Sequence, residues 1–147
     1  MKQKINGIIR AKNEILHSVL LGLFAVVLLS ACSAKSLPAG FNEDAVNSQA
    51  KQVVTQLSNQ EFAAVEAQFA DILKPALPAG TLKTALGAMI TNLGEFREFG
   101  SSSMGSSENP QVGKFAVVVI QATYANGKAT YTISIDEAGK LTGLYMK

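Results

Sequence analysis

Up to Gly94 the apolar residues of this chain recur at helical spacing; beyond it they alternate. Helices first and strands after is an order that few globular architectures accept. The natural one is α+β, with the helices packed on one face of an antiparallel sheet. Lys114 to Tyr124 is the strongest strand, with Phe115, Val117 and Val119 pointing one way and Ala116, Val118, Ile120, Ala122 and Tyr124 the other. Asn126-Gly127 predicts a type I′ hairpin, a turn in which both central residues take positive φ. Ala129, Tyr131, Ile133 and Ile135 then alternate with Thr130, Thr132 and Ser134. Asp136 to Lys140 turns the chain again, and Leu141 to Met146 makes a last strand. Upstream, Phe96 to Ser103 reads as a first strand weakened by its serines and Gly100, and Met104 to Gly113 as a loop.

Three helices precede this sheet. Val46, Ala50, Val53, Val54 and Leu57 share one helical face. Ser58-Asn59-Gln60-Glu61 has the form of a capping box, Ser58 capping a second helix while Glu61 reaches back. That helix is expected to bury Phe62, Val65, Phe69, Ile72 and Leu73 and to end at Pro75 and Pro78. The third, from about Thr81 to Leu93, presents Leu82, Leu86, Met89, Ile90 and Leu93 and stops at Gly94. Leu77-Pro78-Ala79-Gly80 duplicates Leu37-Pro38-Ala39-Gly40, but the sequences that follow differ, so the two tetrads predict similar approaches to helices rather than a repeat. The expected domain, residues 43–147, is three N-terminal helices on a four-stranded antiparallel meander.

The segment ahead of that domain has a different character. Lys2, Lys4, Arg10 and Lys12, opposed only by Glu14, form a basic leader, and Val19 to Leu29 is uncharged and apolar throughout. That run suits the h-region of an export signal. It is short for a bilayer-spanning helix, which wants about 20 residues. Leu29-Ser30-Ala31-Cys32 follows, and it resembles the bacterial lipobox, whose cysteine is lipidated and becomes N-terminal. The coincidence of the sole cysteine with the end of the apolar run sets this reading above an uncleaved membrane helix. Residues 1–31 are then a signal peptide and 32–42 a lipidated tether. A lipobox cysteine characteristically carries a diacylglyceryl group, which holds a membrane firmly where a single acyl chain is marginal. The expected location is the cell membrane or the outer membrane, facing away from the cytoplasm.

Removing the leader changes the composition that matters. The whole chain carries +2, but residues 1–31 alone carry +3, so Cys32 to Lys147 carries a net −1. A near-neutral domain lacks the electrostatic footprint of a nucleic-acid binder. With one cysteine in the chain, no internal disulfide can form. Packing alone must supply the stability.

The succession of helix, capping turn, helix and third helix, then Gly94-Glu95-Phe96 and a meander closing on Asp136, Gly139-Lys140-Leu141-Thr142-Gly143-Leu144, resembles a small bacterial family of unknown function. Members of that family occur as single-domain lipoproteins and as modules ahead of α/β-hydrolase domains. The resemblance covers residues from about 44 to 146 and implies a cone-like fold similar to nuclear transport factor 2 (NTF2-like) and cystatin. It brings no catalytic residues, and no hydrolase domain is present to transfer an activity from.

The residues themselves leave little chemistry. The only histidine, His17, lies in the leader, so the domain has no Ser-His-Asp or Cys-His site and little from which to build a zinc centre. No phosphate-binding loop is present, and Gly139-Lys140 sits on a hairpin. No metal and no cofactor are expected. Glu95, Arg97 and Glu98 at the start of the sheet either place an acid or base inside a cavity or form a solvated ion pair worth well under about 1 kcal/mol. Tyr124, Tyr131 and Tyr145 either line a ligand pocket with them or belong to the core with hydroxyls at its rim. The serines Ser101-Ser102-Ser103 and Ser106-Ser107 either ring a cavity mouth or form a hairpin loop.

One demand survives. Lys114 to Tyr124 is apolar on both faces, so both need cover. Helices supply one side; a curled sheet around a pocket, a second subunit or an envelope partner would supply the other. Two functions follow as expectations: a non-enzymatic binding module on a membrane, with a homodimer as the first partner, or a ligand-pocket protein with carboxylate chemistry.

Overall fold

The structure is a computed structural model and describes residues 37–147. The leader, the lipobox and the first part of the tether lie outside the described residues. Helix α1 (Glu43–Ser58) buries Val46, Ala50, Val53, Val54 and Leu57, the face expected of it. It starts at Asn42, whose side-chain oxygen accepts the Ala45 amide at 2.9 Å, and Glu43 and Asp44 complement the positive end of the helix dipole. Helix α2 is Phe62–Glu66 and α3 is Thr81–Leu93. The strands β1 (Phe96–Asn109), β2 (Gly113–Tyr124), β3 (Gly127–Asp136) and β4 (Leu141–Met146) form one open antiparallel sheet in sequence order. The protein is α+β, with three helices and a four-stranded meander.

The second helix departs from expectation at both ends. Ser58 does not cap it; Ser58 is the last residue of α1, and its hydroxyl donates to the Val54 carbonyl at 2.7 Å. Gln60 turns the chain at φ 60°, and α2 begins after Glu61 with no side-chain cap. The helix then stops at Glu66 because the backbone is claimed by the sheet. Leu141 donates to the Gln68 carbonyl at 2.9 Å, and Ala70 donates to the Leu141 carbonyl at 2.8 Å. Phe69 is thereby buried from an isolated bridge rather than from a helix, while Ile72, expected in the core, is 43% exposed. Helix α3 likewise buries a narrower stripe than its pattern offers: Leu82 and Ile90 are buried, but Met89 faces solvent.

The duplicated tetrads do make matching turns. Phe41 donates to the Pro38 carbonyl at 3.3 Å and Thr81 to the Pro78 carbonyl at 3.0 Å. Gly40 and Gly80 occupy positive φ (110° and 84°), which a glycine takes without strain. The helix starts then differ. α1 has its own Asn42, whereas α3 borrows the Glu66 carboxylate, which accepts from the Gly80 amide at 2.9 and 3.0 Å and from the Leu82 amide at 3.1 Å.

In the sheet, β2 and β3 pair without interruption from Phe115 with Asp136 to Tyr124 with Gly127. The turn between them is Ala125-Asn126, and neither residue has positive φ, so the type I′ expectation for Asn126-Gly127 fails. Tertiary contacts override the local signal. Ala125 donates to the Glu95 carbonyl at 2.8 Å and Asn126 to the Leu93 carbonyl at 2.9 Å, docking the turn onto the end of α3. Gly94 makes this approach feasible: its φ is 76°, and a Cβ there would sit 3.0 Å from the side-chain Nδ2 of Asn126. The largest revision is β1. The segment from Met104 onward, expected to be a loop, continues as strand to Asn109, paired from Ser102 with Ile120 to Asn109 with Gly113. Its serines have little strand preference of their own, and the regular ladder of β2 organises them.

Ala116, Val118, Ile120, Ala122 and Tyr124 of β2, with Tyr131, Ile133 and Ile135 of β3, are buried and form the core with α1. The opposite face carries Phe115, Val117 and Val119, each partly buried, with no other described element across them.

Candidate functional site

Of the six residues with a candidate pocket role, the structure makes three separate groups. Glu95 and Arg97 form an exposed ion pair at 3.2 Å. Glu98 is also exposed, on β1 opposite Thr123. None of the three enters an enclosed cavity among the described residues. Tyr145 stands on β4 opposite Thr132 and is 61% exposed. Only Tyr124 and Tyr131 meet, and they meet inside the core.

Their hydroxyls are not at the rim. Tyr131 is fully buried and Tyr124 nearly so, with their oxygens 2.5 Å apart. The Ser58 oxygen lies 2.7 Å from that of Tyr124. Ser58 has one proton and gives it to the Val54 carbonyl. Tyr124 must therefore donate to Ser58, and Tyr131 to Tyr124, so the chain of hydroxyls runs one way from β3 through β2 into the last turn of α1. Burial, and then the Tyr124 phenol, push the Tyr131 hydroxyl well above the ordinary tyrosine range. Such a group is a poor acid or base near neutral pH, and this chain of bonds fixes the helix to the sheet.

Two measurable consequences follow. Tyr124→Phe strands the Tyr131 donor in the core and is expected to cost about 1–3 kcal/mol, the penalty for an unsatisfied buried group. Tyr131→Phe strands no donor and should cost about 0.5–1.5 kcal/mol. Because the folded pKa of Tyr131 exceeds its unfolded value of about 10, its contribution is whole below that pH and is lost as pH rises above it. Urea denaturation at neutral and strongly alkaline pH should show a smaller alkaline loss in Tyr131→Phe than in the wild type. Equal losses would show that Tyr131 is not the titrating group.

Concave features lie elsewhere. A cleft of about 390 Å³ is walled by Ala63, Ala67 and Phe69 on one side and Leu77, Pro78 and Ala79 on the other. Its polar groups are engaged: Glu66 holds the start of α3, and Lys74 pairs with Asp71 at 2.6 Å. Ser101, Ser102 and Ser103 line, with Val119, Gln121 and Thr130, a shallow recess of about 150 Å³ on the outer sheet face. Among the described residues no cluster of three or more His, Cys, Asp or Glu could hold a metal ion. No described helix is long and apolar enough to cross a membrane.

Sequence patterning gave no sign of the Glu66 carboxylate as a distant helix cap, because its partners are 14 and 16 residues away. It also missed Ser58 as a link to the sheet. The position of Ser58 at the end of an apolar helical face, rather than before one, was the available signal.

A family described as "Protein of unknown function (DUF3887)" matches residues 50–144. The chain belongs to the DUF3887 family. The match falls within the stretch that carries the resemblance noted above, and it includes β1 to β3, most of α1 and most of β4. Among solved structures, the "NMR structure of protein from Ruminococcus gnavus ATCC 29149" is similar, with a TM-score of 0.63 and 24% identity over 76% of this chain and 96% of that one. That likeness establishes the shared fold. No curated protein matches. Neither the DUF3887 match nor the solved structure indicates an enzymatic family.

Proposed function

We propose that this DUF3887 protein is a non-catalytic binding module, held on the outer side of a membrane by lipid on Cys32 and engaging a second copy of itself through the meander. The observation that carries the reading is the open sheet. Within the described residues, one face of β2 and the free edge of β1 have no other element against them. Phe115, Val117 and Val119 keep part of their surface in water on that side, and apolar surface left open on a sheet commonly marks contact with another protein. The finer fold assignment, an NTF2-like or cystatin-like half-cone, is part of the same proposal and is supported by helices on one side of a four-stranded meander. A pocket enzyme of that fold would need a titratable group enclosed between helices and sheet. Here Glu95, Arg97 and Glu98 are at the surface, and Tyr124, Tyr131 and Ile120 fill the space beneath α1, so the binding reading is preferred.

Sedimentation of the full chain in a mild detergent tests this reading. A concentration-dependent dimer is the expected result. A strict monomer across the accessible concentration range would overturn it.

A further inference from the structure

Of the two open surfaces of the meander, the geometry points to the edge of β1 as the one that takes the second copy; we infer that β1 pairs antiparallel with β1 of a twin chain across a two-fold axis near Gly105. This inference rests on the proposed self-association and specifies its surface. β1 is at the end of the strand order and pairs only with β2, so one row of its backbone N–H and C=O groups has no strand partner among the described residues. Long edges of this kind template the addition of another strand. Proteins usually blunt them with lysine, proline, bulges or a covering element. Here the register shifts are confined to the first half, between Phe96 and Glu98 and between Phe99 and Ser102. From Ser102 to Asn109 the register is regular, and this half contains no lysine or proline.

The occupant follows from the same segment. Its usable length is bounded by the shift before Ser102 and by Pro110, which has no N–H to give, and Gly105 lies near its middle. A two-fold axis there sets Ser103 against Ser107 of the twin, Met104 against Ser106, and Ser102 against Glu108. No like charges oppose each other, and the charged group Glu95, Arg97 and Glu98 lies beyond the overlap. Side chains of this size leave a second backbone free to approach. Pairing at the edge also leaves the row Phe115, Val117 and Val119 open in each copy, extending it across a doubled sheet.

Cysteine trapping in the full chain, under mild oxidation in native membranes, tests the register. Gly105 accepts a side chain: its φ is not in the left-handed range, and a Cβ there meets no atom within 4 Å. Gly105→Cys should give a disulfide-linked dimer beyond any band that wild-type Cys32 gives alone. Ser103→Cys and Ser107→Cys should give none singly and should cross-link when co-expressed. If the wild-type chain sediments as a dimer but Gly105→Cys is not trapped, while Val119→Cys on the outer face is, the edge assignment falls and the binding reading stands. A monomeric wild type removes both. Should Gly105→Cys fail to fold, amide exchange on the unaltered chain decides. Slower exchange from Ser101 to Asn109 with rising protein concentration supports the pairing, and exchange independent of concentration overturns it.

Discussion

Replacing Ile133 by Ala is expected to lower folding stability by about 2–5 kcal/mol, the range for truncating a large aliphatic side chain in a packed core. Ile133 is fully buried at the middle of β3, directly between Val118 of β2 and Leu144 of β4. Its cross-strand neighbours are held in β2 and β4 on either side, so the structure has little freedom to collapse into the space left behind. The exposed Ile72 makes an internal control, since its truncation removes surface already 43% open to water and should fall within the small range of surface substitutions, about 0.5 kcal/mol either way. Urea midpoints of the two variants would report the contrast. Equal midpoints would mean that the inner face of β3 is not where the core lies.

Cys32→Ala should abolish both processing and membrane retention, an all-or-none effect. The motive is chemical: lipid needs the thiol, Cys32 is the only one in the chain, and it stands at the end of the apolar run Val19 to Leu29. Intact mass of the membrane fraction should show wild-type chains beginning at Cys32 with a lipid adduct. A Cys32→Ala chain that is processed and retained like the wild type would sink the anchoring proposal and leave the fold of residues 37–147 untouched.

The two outcomes depend on different kinds of information. Lipidation is chemistry of one side chain in a local context, and a local pattern is enough to propose it. The inner faces of α1, β2 and β3 were legible for a similar reason. Val46 to Leu57 and Ala116 to Tyr124 keep a single period over several turns or residue pairs, and burial of one face is the main force on such segments. The turn at Asp136 to Lys140 was legible because a glycine at positive φ and an aspartate accepting amides ahead of it act within a few residues.

The features that local pattern misassigned are those where a distant partner decided the outcome. Ser58 could cap a following helix, but Tyr124, 66 residues away, offers its hydroxyl a place in a buried chain, and the capping box does not form. Asn126-Gly127 has the preferred composition for a type I′ turn, yet the amide of Asn126 is taken by the carbonyl of Leu93 at the end of α3. The candidate carboxylates could not be placed from spacing alone, because whether Glu95 and Glu98 face a cavity depends on how far the sheet curls, and β1 remains an open edge. By itself the sequence determined the class of fold, the order of its elements and the core faces of α1, β2 and β3, since periodicity acts locally along the chain. Only the tertiary structure decided that Met104 to Asn109 is strand, that Tyr124 and Tyr131 point their hydroxyls inward, and that Glu66 starts α3, because each depends on a hydrogen-bond partner brought from elsewhere in the chain.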